Sequence, residues 1–296
     1  MKILVTGGAG FIGTNLIKRL VTNGHEVVSL DDYSTGTEKN HVNGCHYVEG
    51  TIEYVNYYFG MDDSFDLVYH LAGLSRIQPS FENPTETFNV NTIGTQRLLD
   101  WARKKELKVI YAGSSSKHHD PYQSPYAACK YLGEELCKLY KKTYNMNIEI
   151  CRFYNVYGPH EVLEGDWAAV IGIWRRQIEE GLPITIVGDG EQKRDFTHVH
   201  DIVDALLELQ DVNSSLSIID AWELGTGINY SINEVADMFI KYGGATKAWI
   251  KDQDGNYRET LRESDEALEL LDWKPKDRLE EYIKSLYVNR QLKLDF

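Results

Sequence analysis

Short apolar runs alternate with helical patterns along the first half of the chain. The apolar runs, rich in β-branched residues, cover Lys2–Val5, Glu26–Leu30, Phe65–His70, Leu107–Tyr111 and Ile148–Phe153. Between them, apolar residues recur every three or four positions, as in helices, over 12–22, 84–104 and 124–144. Strands that alternate with helices are typical of a parallel sheet covered on both faces. We therefore predict an α/β fold of the Rossmann type, with a doubly wound parallel sheet.

The pattern changes after about residue 156. A helix-like stretch over 166–180 precedes a short strand, Ile184–Val187, and the tail 231–296 has the pattern of short helices and loops. We predict that residues 1–155 form the sheet domain and that 199–224 return to it. Residues 156–296 are then expected to form a smaller C-terminal lobe that closes over the carboxyl edge of the sheet.

Composition and charge narrow the class of protein. The chain has 296 residues, 42% of them hydrophobic, and a formal net charge of −14, so it is long enough to bury a large core. Its acidity argues against nucleic acid and anionic membranes as partners, and no apolar run approaches the ~20 residues of a membrane span. The cysteines, at positions 45, 129, 137 and 151, have neither disulfide nor metal-ligand spacing. We expect a soluble cytoplasmic protein with reduced cysteines and no metal.

A glycine motif follows the first predicted strand. Gly7, Gly10 and Gly13 lie between that strand and a predicted helix. In such a motif the first glycine permits a tight turn, the second lets the backbone approach a pyrophosphate, and the third lets helix and strand pack closely. The N-terminus of the helix adds N–H donors and a positive dipole end. The motif therefore predicts a dinucleotide-binding site.

Two acidic residues end the second predicted strand and indicate which dinucleotide binds. Asp31 and Asp32 can accept hydrogen bonds from the hydroxyls of an adenosine ribose and would repel a 2′-phosphate. The segment from Asp31 to Gly36 contains no arginine that could neutralise such a phosphate. We therefore predict NAD as the cofactor.

A tyrosine and a lysine are spaced to share one helix face. Tyr126 and Lys130 are four residues apart in a predicted helix, and Ser114 follows the strand before it, where a doubly wound sheet has its ligand crevice. A nearby ammonium favours the phenolate, so Lys130 and the charge of NAD⁺ are expected to lower the pKa of Tyr126 from about 10 toward 7. Tyr126 could then act as a general base toward a sugar hydroxyl, with Ser114 bonded to the developing oxyanion.

The motifs taken together resemble the extended short-chain dehydrogenase/reductase superfamily. The resemblance lies in Thr6–Gly13, His70–Gly73, Asn89–Asn91 and Tyr126-x-x-x-Lys130. Arg152–Pro159 and Gly188–Phe196 are similar to motifs of its nucleotide-sugar epimerases and dehydratases. Such proteins bind NAD and a nucleotide sugar, and the resemblance extends over essentially the whole chain. It implies an NAD-dependent enzyme with a nucleotide sugar, UDP-linked by preference, as substrate and with a homodimeric state.

The resemblance also implies the residues of the site. Those expected at NAD are Gly7, Gly10, Phe11, Ile12, Gly13, Asp31, Asp32, Ile52, Leu71, Ala72, Gly73, Asn91, Tyr126, Lys130 and Tyr154. Those expected at the substrate are Ser80, Ser114, Ser115, Tyr126, Asn155, Arg194, Arg258 and Thr260. Tyr126, Lys130 and Ser114 would be catalytic, and Asn155 and Arg194 would hold the diphosphate, Arg194 through charge-assisted hydrogen bonds.

The residues after Ser114 favour one reaction. Nucleotide-sugar 4,6-dehydratases carry Asp and Glu at the next two positions, and UDP-glucuronate decarboxylases use a Glu there, whereas this chain has Ser115 and Ser116. Hydroxyl groups cannot replace carboxylates as acids and bases at pH 7. The resemblance therefore favours a UDP-hexose 4-epimerase that works through a transient 4-keto intermediate. The alternatives are an epimerase at another carbon (the ADP-heptose 6-epimerase type), a 4,6-dehydratase and, outside the enzymes, an NAD-sensing regulatory protein.

The chain departs from the 4-epimerase pattern in places. His118-His119 replaces the usual Tyr-Gly, and Gln253 stands where many epimerases have a second phosphate-binding arginine. Arg258 is the expected substitute for that arginine. Thr260 falls at the position that limits the size of the C2 substituent of the sugar, and its small side chain predicts that N-acetylated hexoses are accepted.

Overall fold

Thirteen strands and eleven helices form the described part of the computed structural model, residues 1–60, 62–212 and 220–294. The strands are β1 (Lys2–Thr6), β2 (Glu26–Asp31), β3 (Cys45–Glu49), β4 (Leu67–His70), β5 (Lys108–Ser114), β6 (Ile148–Phe153), β7 (Val156–Tyr157), β8 (Ile184–Val187), β9 (Lys193–Asp195), β10 (Thr197–His198), β11 (Trp222–Leu224), β12 (Asn229–Ser231) and β13 (Lys247–Ile250). The helices are α1 (Phe11–Thr22), α2 (Val55–Tyr58), α3 (Ile77–Glu82), α4 (Pro84–Phe88), α5 (Thr95–Lys104), α6 (Pro125–Tyr144), α7 (Val170–Glu179), α8 (Val199–Glu208), α9 (Ile232–Gly243), α10 (Glu266–Leu270) and α11 (Leu279–Leu294).

The central sheet has seven parallel strands in the order β11-β6-β5-β4-β1-β2-β3. Successive strands are added on one side of β1 up to β3, and then on the other side from β4 onward. The strand order therefore reverses beside β1, which is the switch point at which such sheets bind ligands. The predicted fold, a doubly wound parallel sheet, is confirmed.

Helices on both faces of the sheet bury the side chains of its strands. Ile3 and Val5 of β1 are fully buried in a cluster with α1 and α8, and Leu4 is fully buried in a second cluster with α5 and α6. Successive residues of a strand point to opposite faces, so a strand covered on both sides is apolar at every position. This is why the strands are continuous apolar runs in the sequence.

Helix α6 carries the expected catalytic pair, and its ends are fixed by local sequence. The side chain of Ser124 caps the helix by accepting a hydrogen bond from the N–H of Ala127, and Pro125 occupies the first turn. Asn145 ends the helix in the left-handed conformation, with φ +54°. The predicted helix over 124–144 is thus present almost residue for residue.

The predicted helix over 84–104 contains a π-helical segment, Asn89–Gly94, between α4 and α5. A Cβ atom placed on Gly94 would lie 2.4 Å from Cγ2 of Ile52. The wider π turn and the missing side chain allow the backbone of this helix to approach Ile52, one of the expected cofactor contacts. A π turn inside an α-helix is often found at a functional site.

The second half of the chain has its own hydrophobic cluster. Trp174 of α7 and Phe239 of α9 are fully buried there, and their rings meet edge to face with centroids 5.4 Å apart. The tail is more regular than predicted, because α9 has 12 residues and α11 has 16. Apolar residues of α9 and α11 pack together with α7 and β8, which supports the smaller lobe.

Two parts of the second half pack with the sheet. Helix α8 lies against α1, and β11 extends the sheet beside β6; within the predicted return over 199–224, residues 213–219 lie outside the described part. The segment around α10 also joins the core of the sheet, where the indole N–H of Trp273 donates to the carbonyl of Asp201. The division into a sheet domain over 1–155, with 199–224, and a smaller lobe over 156–296 stays a prediction. Among the described residues, no helix combines the length and apolarity of a membrane span.

Candidate active site

A cavity of about 670 Å³ opens at the carboxyl edge of the sheet. The turns after β1, β2, β4 and β5 form one side of it, and residues of the smaller lobe complete it. The expected site residues that line it are Gly7, Gly10, Phe11, Ile12, Gly13, Asp31, Asp32, Ile52, Leu71, Ala72, Gly73, Ser114, Ser115, Tyr126, Lys130, Asn155, Arg194 and Thr260. The fold thus brings together residues that are far apart in sequence, and their contacts with ligands stay predictions.

The glycine turn forms a cradle with no room for side chains. Gly7 has φ +73°, and a Cβ atom there would lie 2.9 Å from the backbone nitrogen of Ala72. A Cβ atom on Gly13 would lie 2.2 Å from the carbonyl oxygen of Gly7. No side chain caps α1, which begins after Gly10, so its first N–H groups face the cavity. The turn therefore fits a diphosphate group bound at a helix N-terminus.

The two acidic residues at the end of β2 have different surroundings. Asp31 is 7% exposed, and its two oxygens accept the backbone N–H groups of Ala9, at 2.8 Å, and Tyr33, at 2.9 Å. Asp32 is exposed, lines the cavity and accepts hydrogen bonds from Ser34. Asp31 thus holds the glycine turn in place while still lining the cavity, and Asp32 is the more exposed of the two carboxylates there.

Asp32 predicts a strong cofactor preference. We expect NAD⁺ to bind at least tenfold more tightly than NADP⁺, a difference of about 1.4 kcal/mol or more, because a 2′-phosphate would meet this carboxylate. Calorimetric titration of the protein with each dinucleotide measures the ratio. Asp32→Asn should reduce the preference, and equal affinities in the unchanged protein would contradict the prediction.

The catalytic pair lies at the base of the cavity. The Tyr126 hydroxyl donates a hydrogen bond to Oγ of Ser114 at 3.2 Å, across the junction of β5 and α6. One helical turn later, the ammonium group of Lys130 donates to the carbonyl oxygen of Ala112 at 2.8 Å. Tyr126 is therefore held by a hydroxyl that a substrate oxygen could replace, and Lys130 is anchored on the same strand as Ser114.

The protein alone does not lower the pKa of Tyr126. Burial raises this pKa above 10, although the hydrogen bond to Ser114 and the charge of Arg76 act in the opposite direction. Burial also lowers the pKa of Lys130 to about 8. The expectation that Lys130 prepares a phenolate is therefore not met by the side chains themselves, and at neutral pH Tyr126 is a protonated phenol in this state of the protein.

Two expected cofactor contacts do not line the cavity. Asn91 is 2% exposed, and its side-chain amide forms two hydrogen bonds with Leu74. Oδ1 accepts a hydrogen bond from the Leu74 N–H, and Nδ2 donates one to the Leu74 carbonyl oxygen. Tyr154 is fully buried, and its hydroxyl donates to Glu223. In this structure Asn91 fixes the turn after β4 and Tyr154 belongs to the interior, and their contacts with NAD stay predictions.

Two expected substrate contacts also lie elsewhere. Ser80 is 1% exposed, and its hydroxyl accepts the backbone N–H of Tyr126, so it positions the start of α6. Arg258 is exposed and forms an ion pair with Asp189 at 2.9 Å. Arg258 does not line the cavity in this structure, whereas Gln253 does, and the role of Arg258 as the substitute for the second phosphate-binding arginine stays a prediction.

The expected diphosphate and gate residues lie together on the smaller lobe. The side-chain amide of Asn155 donates to the hydroxyl of Thr260 at 3.0 Å. Arg194 lines the cavity and donates to the side chain of Asn256 at 2.7 Å, and burial lowers its pKa to about 10. A partly desolvated guanidinium in a cavity suits an anionic ligand.

Several cavity residues were not predicted from the sequence. Arg76, Glu161, Trp167 and Tyr257 all line the cavity. Arg76 could have been noticed, because it follows β4 at the edge of the sheet where the ligand crevice was expected. The other three come from loops of the second half of the chain, whose approach to the sheet no local pattern indicates.

The two adjacent histidines point to different partners. His118 lies between Glu223, at 2.8 Å, and Glu263, at 3.0 Å, and the hydrogen bond with Glu223 raises its pKa. His119 stacks on Tyr257, with ring centroids 3.9 Å apart. Both residues connect the short loop before α6 to the second half of the chain. Neither histidine is among the residues that line the cavity, but His119 packs on Tyr257, which does line it.

The geometry can be compared with known families. A model of the NAD-dependent epimerase/dehydratase family matches residues 3–218. The chain belongs to this family. It is accordingly an NAD-dependent enzyme, and the fit of the glycine turn and Asp32 to a dinucleotide agrees with this assignment.

The relatives of this chain have names that refer to different reactions. A protein of Methanocaldococcus jannaschii, provisionally named a UDP-glucose 4-epimerase, is 32% identical over an alignment that covers 95% of this chain and 96% of the relative. UDP-glucuronic acid decarboxylase 1 of Xenopus tropicalis is 30% identical over 95% of this chain and 70% of the relative. The crystal structure of UDP-glucose 4-epimerase from Thermotoga maritima with UDP-glucose has a TM-score of 0.86, with 27% identity and full coverage of both chains.

Proposed function

We propose that this enzyme interconverts UDP-hexoses that differ in configuration at C4, through a transient 4-keto intermediate. The observation that carries the proposal is the hydrogen bond between Tyr126 and Ser114 at the base of the cavity, beside Ser115 and Ser116 instead of carboxylates. The relatives named as UDP-glucose 4-epimerases support the choice of substrate.

Tyr126 and Ser114 have the arrangement needed to move one proton. Tyr126 can accept a proton only as a phenolate, which the positive charge of bound NAD⁺ would favour. A sugar hydroxyl placed between the two residues would then donate its proton to the phenolate oxygen and keep a hydrogen bond from Ser114 as negative charge develops. NAD bound in the cavity would supply the hydride acceptor and donor for the same carbon. The Lys130 ammonium, one turn along the helix, adds positive charge to this region.

The competing reactions need an acid or base that the serines cannot provide. Dehydration and decarboxylation were expected to use carboxylates at positions 115 and 116, and Ser116 is only 4% exposed, with its N–H bonded to Ser114. Glu161 also lines the cavity; Arg175 and Tyr282 bond its Oε1, at 2.7 and 3.1 Å, and its buried Oε2 has no partner among the described residues. The positions expected to hold the catalytic carboxylates of the competing reactions are serines in this chain, which favours epimerisation.

The function is tested by a substrate panel followed by NMR. Purified enzyme with NAD is given UDP-glucose, UDP-GlcNAc, dTDP-glucose and an ADP-heptose, and we expect C4 epimers of the UDP-sugars as the products. A 4-keto-6-deoxy sugar formed at a comparable rate would identify a dehydratase. Turnover of the ADP-heptose alone would identify an epimerase at another carbon.

Thr260 offers a test of sugar specificity. Its side chain is small, 6% exposed and bonded to Asn155 at the cavity wall. Thr260→Tyr should selectively lower kcat/KM for UDP-GlcNAc, by about 10-fold or more, because overpacking a closed pocket costs about 1–3 kcal/mol. UDP-glucose, with only a hydroxyl at C2, should lose less. An unchanged ratio of kcat/KM between the two substrates would remove Thr260 from the sugar pocket.

We also infer a homodimer. Tyr131, Leu132 and Leu139 of α6 are exposed, at 36%, 40% and 53%, and Ile93 in the adjoining π segment is 46% exposed. Exposed apolar side chains grouped on neighbouring helices are typical of a surface that pairs with another protein. Sedimentation analysis of the purified chain gives the oligomeric state directly, and a monomer at micromolar concentration would contradict the inference.

A further inference from the structure

An arginine in the cavity has a guanidinium group with free donors. Arg76 lies in the turn between β4 and α3 and lines the cavity. Its Nε donates to the carbonyl oxygen of Trp167 at 2.9 Å, which fixes the direction of the side chain. Within the described residues, its two terminal nitrogens have no hydrogen bond or ion pair. These donors are therefore available to a ligand.

The charge of Arg76 lies near the reacting end of the site. Arg76 directly precedes α3, and Ser80 of that helix accepts the backbone N–H of Tyr126 at 3.1 Å. The charge of Arg76 also acts to lower the pKa of Tyr126, although less than the hydrogen bond with Ser114 does and against the larger effect of burial. Arg194, in contrast, is held by Asn256, and its charge acts on Tyr257. Since Tyr126 must meet the sugar hydroxyl that loses its proton, a cation beside Tyr126 faces the sugar. Arg194 is therefore the arginine that we assign to the diphosphate.

No carboxylate of the described chain neutralises Arg76 by direct contact. Glu161 is close enough to affect its pKa, but the two form no ion pair within 4.0 Å, and Oε1 of Glu161 is bonded to Arg175 and Tyr282. Glu82 and Asp166 line the cavity with their side chains exposed to solvent. A guanidinium that is withdrawn from water without a paired anion is unfavourable, so a ligand that supplies an anion there is bound more tightly.

We propose that Arg76 binds a carboxylate on the sugar, so that the preferred substrates are UDP-hexuronic acids. A carboxylate accepts two parallel hydrogen bonds from a guanidinium, and the terminal nitrogens of Arg76 provide both donors. A hexose with an uncharged hydroxymethyl group at C6 can accept only weaker hydrogen bonds. This inference rests on the proposed 4-epimerase function for its reaction, but the recognition of the carboxylate is a binding property that can be measured by itself.

The test measures binding without turnover. Calorimetry in a Tyr126→Phe background, with NAD bound, gives the affinities for UDP, UDP-glucose and UDP-glucuronate. We expect UDP-glucuronate to bind at least tenfold more tightly than UDP-glucose, and Arg76→Gln to abolish this ratio while the affinity for UDP changes by less than threefold. Arg76→Lys should keep part of the ratio. Arg194→Gln is the matched control and should weaken all three ligands together.

The outcomes separate this inference from the proposed function. If UDP-glucuronate has no advantage, or if Arg76→Gln leaves the advantage intact, the inference is wrong. If Arg76→Gln weakens all three ligands equally, Arg76 binds the diphosphate and the inference is also wrong. The thermal unfolding temperature and NAD affinity of each variant show whether its fold is retained. The proposed function is decided separately by turnover in the unsubstituted enzyme: a carboxylate preference without any C4 epimer would overturn the function and leave the role of Arg76 standing.

Discussion

Tyr126→Phe is expected to lower kcat by a factor of about 10²–10⁴, the usual range of general acid–base catalysis. The substitution removes the hydroxyl that bonds to Ser114 at 3.2 Å but changes little volume, so the fold and NAD binding should be retained. Turnover is measured on the best substrate of the panel, and NAD affinity by calorimetry. A variant that keeps more than about a tenth of the rate would show that another group takes the proton.

The matched control is Tyr140→Phe. Tyr140 lies on the same helix, α6, and its hydroxyl accepts a hydrogen bond from Gln96 at 3.1 Å, outside the residues that line the cavity. Removing this hydroxyl should cost a typical side-chain hydrogen bond, about 0.5–1.5 kcal/mol of stability, and leave kcat within about twofold. A similar loss of rate in both variants would mean that the helix, and not the phenol of Tyr126, was affected.

Gly13→Ala is expected to damage both stability and NAD binding. The added methyl group would lie 2.2 Å from the carbonyl oxygen of Gly7 and 2.7 Å from Cα of Gly8, so α1 must move away from the turn. Overpacking of this kind costs about 1–3 kcal/mol of unfolding free energy. Because the same movement displaces the helix N-terminus, NAD affinity should fall at least tenfold. Denaturant unfolding and calorimetry measure the two effects.

Gly60→Ala is the control for that substitution. A Cβ atom on Gly60 would approach nothing closer than Oδ2 of Asp63, at 4.0 Å, and the residue does not line the cavity. Its stability should change by no more than about 0.5 kcal/mol, with NAD affinity unchanged. If Gly13→Ala behaved in the same way, the close approach between α1 and the glycine turn would not be what holds the cofactor site together.

The features that were predicted well are those that local physics determines. Strands buried on both faces are apolar at each position, as in Lys2–Thr6, and α6 is marked by its own capping residues. Gly7 is required by its positive φ, and Gly13 by its close approach to the backbone of Gly7 and Gly8 within the same turn. Such signals can be read without knowledge of the rest of the fold.

The elements that were missed lack such a signal. Strand β3, Cys45–Glu49, lies at the edge of the sheet and is only partly buried, so it has no continuous apolar run. Strand β11 has three residues and is placed in the sheet by its pairing with β6. Edge strands and short strands depend on their neighbours for stability, and sequence patterns describe them poorly.

The polar groups of three expected site residues are engaged within the protein. Asn91, Tyr154 and Ser80 were expected at ligands, yet their polar groups bond within the protein, to Leu74, Glu223 and the start of α6. A motif gives the type and spacing of a residue, but which of its neighbours a polar group bonds is decided by tertiary packing. Arg258 illustrates the same limit, because it forms an ion pair with Asp189 on another turn and does not line the cavity.

The proposed reaction breaks and re-forms the bond between C4 and its hydrogen within one active site. UDP-glucose carrying deuterium at C4 is incubated in ordinary water with the enzyme and NAD, and the product is analysed by NMR and mass spectrometry. We expect UDP-galactose that keeps the deuterium at C4. Deuterium found at C6, or lost from the sugar, would contradict it, because Tyr126 and Ser114 would then serve an elimination or an exchange with solvent and not an epimerisation at C4.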